Sequence, residues 1–120
     1  MMKILIAEDE PLMRKTICMK LEKDGYAIIS CADGKEAIQK IEEEKPDLVI
    51  TDMMLPYASG FEIIKFAKDN NSAIPVIVLS ALGQENTVEN AFELGADDYI
   101  TKPFNLNELS IRVKRLLKKL

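Results

Sequence analysis

Short apolar runs and stretches of helical periodicity alternate along this chain. Lys3 to Ala7 is apolar after its first residue, which predicts a fully buried strand ended by Glu8-Asp9-Glu10. Pro11 suits the first turn of a helix, and Met13, Ile17 and Leu21 recur at the spacing of one helix face. Asp24-Gly25 closes that helix, and Tyr26 to Ser30 reads as a second strand. Asp33-Gly34 turns into a helix from about Lys35 to Glu44, with Ala37, Ile38 and Ile41 inward, and Pro46 stops it. Leu48-Val49-Ile50 is too short for a helix and rich in strand formers, so a third strand is expected, with Asp52 standing where the run stops.

The second half repeats the scheme. A loop punctuated by Pro56 and Ser59-Gly60 leads to a helix carrying Phe61, Ile64 and Ala67 or Lys68, broken at Asn70-Asn71. Pro75 to Leu79 is a fourth strand ending in Ser80. A helix over about Glu85 to Leu94 ends at Gly95, and Asp98 to Thr101 is a fifth strand. Lys102-Pro103-Phe104 forms a loop, and Asn105 caps a last helix with Leu109, Val113, Leu116 and Leu117 on its apolar side. Five strand-helix units with apolar rather than alternating strands predict an α/β fold, a parallel sheet covered by helices on both faces in three layers.

Composition bounds the function. The 120 residues fit one domain with a real core. At 48% hydrophobic and 30% charged the chain is neither disordered nor fibrous, and no apolar stretch nears the roughly 20 residues that span a bilayer. A net charge of -4 argues against direct nucleic-acid binding. The N-terminal apolar run is too short for a signal peptide, so a cytoplasmic setting without membrane attachment is expected. Cys18 and Cys31 lack metal-type spacing and are expected to be buried and unpaired. Histidine is absent, which excludes His-metal sites and Ser-His-Asp or Cys-His catalysis on this chain.

The chemistry converges at one rim. Ligands of an open parallel sheet bind outside the carboxyl ends of the strands, at the point where strand order reverses. Those ends carry Glu8 and Asp9, Asp52, Ser80 and Lys102. Two carboxylates about 4 Å apart at an effective dielectric near 20 repel by roughly 4 kcal/mol, which a divalent cation relieves. Magnesium suits such an all-oxygen set completed by phosphate, with Asp9 and Asp52 as direct ligands and Glu8 acting through water. The Ser80 hydroxyl and the compact Lys102 charge suit phosphoryl oxygens. Asp52, ionised and needing no base, can serve as the nucleophile and become an acyl phosphate.

Five segments together resemble the receiver domain of two-component response regulators. They are Glu8-Asp9-Glu10-Pro11, Asp52-Met53-Met54-Leu55-Pro56 with Gly60, Ser80-Ala81, Gly95-Ala96-Asp97-Asp98-Tyr99, and Lys102-Pro103-Phe104. The resemblance covers essentially the whole chain. It implies a doubly wound, flavodoxin-like sheet in strand order 2-1-3-4-5 and phosphorylation of Asp52 by a phosphohistidine of a sensor histidine kinase or phosphotransfer protein. It also implies Mg2+ held by Asp9, Asp52 and the Met54 backbone carbonyl with Glu8 assisting, and a cis Lys102-Pro103 bond. Among receivers the chain is most similar to those that carry a winged-helix DNA-binding domain (OmpR/PhoB-like). These act in transcription regulation and form homodimers through the fourth helix, fifth strand and fifth helix. Asp98 and Arg112 match charged positions of that face. Val88 and Glu89 depart from the basic and apolar pair expected there, which leaves Glu108 without its cross-dimer partner.

The expectation is therefore a receiver domain over residues 1–120, with any output domain absent or removed. It is a signalling domain that promotes its own Mg2+-dependent phosphorylation and dephosphorylation rather than an enzyme for outside substrates. Phosphorylation is expected to draw Ser80 toward the phosphate, let Tyr99 turn inward and change the face of the fourth helix, fifth strand and fifth helix. Met54 and Leu82, two residues past Asp52 and Ser80, are apolar and cannot orient water, so slow self-hydrolysis is expected. The exposed side of helix one near Arg14 reads as a candidate kinase-docking surface, the alternative being a solvated face. Lys114, Arg115, Lys118 and Lys119 read as cations complementing a helix carboxyl end. The alternatives are a receiver-like module that is never phosphorylated, an aspartyl-phosphate phosphatase, and a flavin carrier. A phosphatase of that type wants a second aspartate where Met54 stands, and Glu8-Asp9-Glu10 would repel a flavin phosphate.

Overall fold

The computed structural model describes residues 1–81 and 85–118, and within the fourth helix the side chains from Glu89 onward. Ten elements follow one another: β1 (Lys3–Ala7), α1 (Pro11–Lys23), β2 (Ala27–Cys31), α2 (Gly34–Glu44), β3 (Leu48–Asp52), α3 (Gly60–Asn70), β4 (Val76–Ala81), α4 (Glu85–Glu93), β5 (Asp98–Lys102) and α5 (Leu106–Leu117). The strands pair in parallel in the order β2-β1-β3-β4-β5, the expected doubly wound sheet.

The period of two along each strand explains the three layers. Leu5, Ala7, Val49, Val76 and Val78 point to one face, where Ala37 and Ile41 of α2, Ile63, Ile64 and Ala67 of α3 and Ala91 of α4 cover them. Ile4, Ile6, Leu48, Ile50, Ile77, Leu79 and Ile100 point to the other, against Ile17, Cys18 and Leu21 of α1 and Leu109, Val113, Leu116 and Leu117 of α5. The inner strands are apolar on both faces because helices cover both. β2, at the edge, is only half-buried. Both cysteines are free and buried, and burial pushes the Cys31 thiol up to about 12, with the Glu36 carboxylate adding to it. No described helix is long and apolar enough to cross a membrane.

Helix starts are fixed by side chains as the sequence suggests. Asp33 caps α2 through the Glu36 amide, Ser59 caps α3 through the Glu62 amide, and Asn105 caps α5 through the amides of Asn107 and Glu108. Several strand ends differ from the sequence reading, β2 running on to Cys31 rather than Ser30 and β4 starting at Val76 rather than Pro75. β2 begins at Ala27, not Tyr26, because the Tyr26 amide donates to the Leu21 carbonyl and finishes the α1 turn. β4 and β5 run on to Ala81 and Lys102, which pair with each other, so Ser80 and Lys102 sit inside strands.

The loop after β3 is held tightly. A Cβ on Gly60 would lie 2.7 Å from the Asp52 carbonyl oxygen, and one on Gly34 would collide with the carbonyl of Ala58. Gly34 also donates its amide to the Pro56 carbonyl at 3.0 Å, so the start of α2 clamps this loop. Within it Tyr57 has φ +72° and a ring 83% exposed, a left-handed backbone with little packing in return.

Two stability outcomes follow from this loop. Gly34→Ala lowers the unfolding free energy by about 1–3 kcal/mol, the usual effect of overpacking against backbone; a urea midpoint equal to wild type would contradict the clamp. Tyr57→Asn raises stability by about 1 kcal/mol by relieving left-handed strain; a lowered midpoint would show that the ring, not the backbone, decides at this position.

Candidate functional site

The sheet topology brings the rim residues together. β1 and β3 are neighbours at the reversal of strand order, so the loop bearing Glu8 and Asp9 stands beside Asp52. Carboxylate oxygens of Glu8, Asp9 and Asp52 all lie within 4.8 Å of one another. Glu8 is fully buried, Asp52 is 9% exposed, and Asp9 faces solvent. Lys102 comes from β5, two strands away from β3, and only a long side chain spans that distance. Its Nζ donates to Asp52 Oδ2 at 2.5 Å and to Glu8 Oε1 at 2.6 Å.

The electrostatics follow from two acids sharing one ammonium. Burial raises the Glu8 carboxyl above its ordinary range, and the nearby Asp52 charge adds to this against the hydrogen bonds from Lys102 and the Glu10 amide. Burial alone would lower Lys102. Its hydrogen bonds to Asp52 and Glu8, with their charges, outweigh burial and leave the ammonium above its ordinary value. The other Asp52 oxygen, Oδ1, accepts from the Met54 amide at 3.3 Å.

The remaining residues singled out by sequence occupy defined places. Ser80 is fully buried on β4, and its hydroxyl donates to the Ala81 carbonyl at 3.4 Å. The Lys102-Pro103 bond is cis. Met54 is 71% exposed beside the rim, and Leu82 lies outside the described residues. The Tyr99 ring is half-buried against the apolar layer under α2, α3 and α4. Asp98 is engaged within the chain: Arg112 donates to it at 2.7 Å and Arg115 at 3.1 Å. Glu108, which the sequence left without a cross-dimer partner, pairs with Arg112 at 2.7 Å one helical turn away. Glu89 is exposed, while the side chain of Val88, like Lys119, lies outside the described residues.

Sequence reasoning missed three contacts. Arg115, grouped above with the cations at the carboxyl end of the last helix, reaches Asp98; its spacing of three from Arg112 puts both on one face of α5. Glu10 caps α1, accepting from the amides of Leu12 at 3.1 Å and Met13 at 2.6 Å, a role that Pro11 at the first helical position signals. Arg14 was placed on an exposed face of α1, yet it is half-buried and its Nη1 donates to the Glu8 carbonyl at 2.9 Å.

Comparison with known proteins agrees with this geometry. Residues 4–114 match the family model of the response regulator receiver domain. The chain is 41% identical over 117 residues to the Bacillus subtilis alkaline phosphatase synthesis transcriptional regulatory protein PhoP, covering 98% of this chain and 49% of that protein. It is 39% identical over 120 residues to the Escherichia coli phosphate regulon transcriptional regulatory protein PhoB, covering 98% and 52%. The chain thus spans about half the length of these curated relatives. Among solved structures, the receiver domain of Francisella response regulator 1452 superposes with a TM-score of 0.90 at 39% identity, covering 99% of this chain and 98% of that one. A CheY-like receiver domain protein from Methanospirillum hungatei superposes at 0.95 with 28% identity, covering 99% and 95%. By its sequence, its sheet order and its acidic rim, the chain belongs to the receiver domains of two-component response regulators, which signal on phosphorylation.

Proposed function

We propose that Asp52 is the phosphoacceptor and that the donor is a phosphohistidine on a sensor histidine kinase or phosphotransfer protein. The observation that carries this reading is the Lys102 bridge between Asp52 and Glu8, beside three carboxylates within 4.8 Å of one another. A purely structural strand cap needs neither the extra acids nor the ammonium. An all-oxygen donor set of this kind fits Mg2+. Asp9, Asp52 and the Met54 carbonyl would hold the ion, with Glu8 acting through water. When bound, it supplies neutralisation of the carboxylates and of the phosphoryl oxygens.

The chain's own residues do the rest. One Asp52 carboxylate oxygen attacks phosphorus; the new P–O bond forms as the P–N bond breaks, and the electron pair leaves on the imidazole nitrogen, which takes a proton from water. Lys102, already on Asp52, follows the charge onto a phosphoryl oxygen. Ser80 turns from the Ala81 carbonyl to donate to another, and the half-buried Tyr99 ring moves inward behind it. Arg112 holds the Tyr99 carbonyl at 3.1 Å and Asp98 beside it, so movement in β5 is felt directly by α5. A homodimer through α4, β5 and α5 would have to exchange the Asp98–Arg112 pair within each chain for pairs between chains. The exposed apolar Met54, two residues past Asp52, speaks against a phosphatase acting on outside substrates. A cytoplasmic setting suits the two reduced, buried thiols.

Acetyl phosphate with Mg2+ adds one phosphoryl mass to the intact chain and none to Asp52→Asn or to wild type in chelator. The same sample shows its largest amide shifts over Asp98 to Arg112. Absence of the mass increment would contradict the acceptor assignment, and an unshifted β5 and α5 would remove the signalling route. Met54→Asn speeds loss of the phosphate by roughly two- to tenfold, the equivalent of one added hydrogen bond to the attacking water at about 0.5–1.5 kcal/mol. An unchanged decay rate would exclude Met54 as a lifetime determinant.

A further inference from the structure

The loop from β1 to α1 carries two of the three rim acids, and its polar groups are tied down one by one. The Glu8 amide donates to the Cys31 carbonyl at 3.1 Å. The Glu10 amide donates to Glu8 Oε2 at 3.2 Å, and the Glu10 carboxylate caps α1. The Glu8 carbonyl accepts from a charged donor on the next helix, Arg14 Nη1 at 2.9 Å. That carbonyl and the Asp9 amide belong to one rigid peptide plane. Whatever holds the carbonyl therefore sets the rotation of the plane and the direction in which the Asp9 side chain leaves it. Asp9 needs such a hold because it is exposed, whereas Glu8 is fixed by burial and by Lys102.

We infer that Arg14 is a positioning residue for the cation site: by gripping the Glu8 carbonyl it keeps Asp9 aimed at Asp52. The inference rests on the proposed Mg2+ reading of the rim. The sign of its effect is diagnostic. Removing a nearby positive charge by itself tightens cation binding, whereas losing the positioning weakens it.

The test is an amide NMR titration of the unphosphorylated chain with Mg2+, which reads affinity without phosphoryl transfer. Arg14→Met weakens Mg2+ binding on the order of tenfold despite the lost charge, a typical effect of removing an outer support of a metal ligand. Arg14→Lys, which keeps a donor and the charge, weakens it less. The amides of Glu8, Asp9 and Glu10 shift in metal-free Arg14→Met while those of β3 and β4 do not. Should Arg14→Met fail to fold, Arg14→Lys decides by the same criterion. Equal or tighter Mg2+ binding in the variants overturns the positioning role alone. A wild-type chain that does not respond to Mg2+ overturns the cation reading and this inference together.

Discussion

The Lys102 ammonium, shared between Glu8 and Asp52 at 2.6 and 2.5 Å, joins the carboxyl ends of β5, β1 and β3 in one interaction. Three carboxylates gather at that rim, and the Lys102 ammonium bonds two of them. A like-charge pair at such distances repels by roughly 4 kcal/mol at an effective dielectric near 20, so one ammonium leaves the rim under-neutralised. Burial raises the Glu8 pKa, and repulsion from the Asp52 charge adds to it. Chemistry that brings in positive charge, or spreads the negative charge over a phosphoryl group, is favoured there. In the proposed reading the activity grows out of that imbalance.

The fold supplies the imbalance at low cost elsewhere. Helices on both faces of the sheet take up the apolar positions, which leaves the strand ends to carry polar groups. The reversal of strand order puts β1 beside β3, and a lysine on an edge strand is long enough to reach both. Gly34 and Gly60 let the loop after Asp52 lie against α2 and against the strand itself. Among the described residues, each buried polar side-chain atom has a partner, so the rim is strained by charge rather than by unmet hydrogen bonds.

Most of this was legible in the sequence, for physical reasons. Buried parallel strands are unbroken apolar runs, and Glu8, Asp52, Ser80 and Lys102 each stand where such a run ends. The meeting of Glu8, Asp52 and Lys102 followed from topology. Contacts made by residues on solvated helix faces were harder to read. Arg14 occupies a polar helical position and differs from a surface arginine only by a bond to a backbone carbonyl, which leaves no trace in side-chain pattern. Asp98 and Arg112, matched above to charged positions of a dimer face, pair with each other within one chain, and Arg115 joins them. The left-handed Tyr57 was not foreseen, because nothing in a Pro-Tyr-Ala-Ser string demands φ +72°. The first residue of β2 was misjudged because Tyr26 gives its amide to the Leu21 carbonyl, a backbone bond that the side-chain pattern does not mark.

The central claim is that the rim acids are held together against their repulsion and that a divalent cation completes what Lys102 begins. Urea unfolding of the unphosphorylated chain at fixed ionic strength, followed as Mg2+ is raised, tests it most directly. The account predicts that wild type gains stability with Mg2+, reaching about 2.7 kcal/mol at a hundred times the dissociation constant, while Asp9→Asn gains far less. A midpoint independent of Mg2+, or the same gain in both proteins, would contradict it.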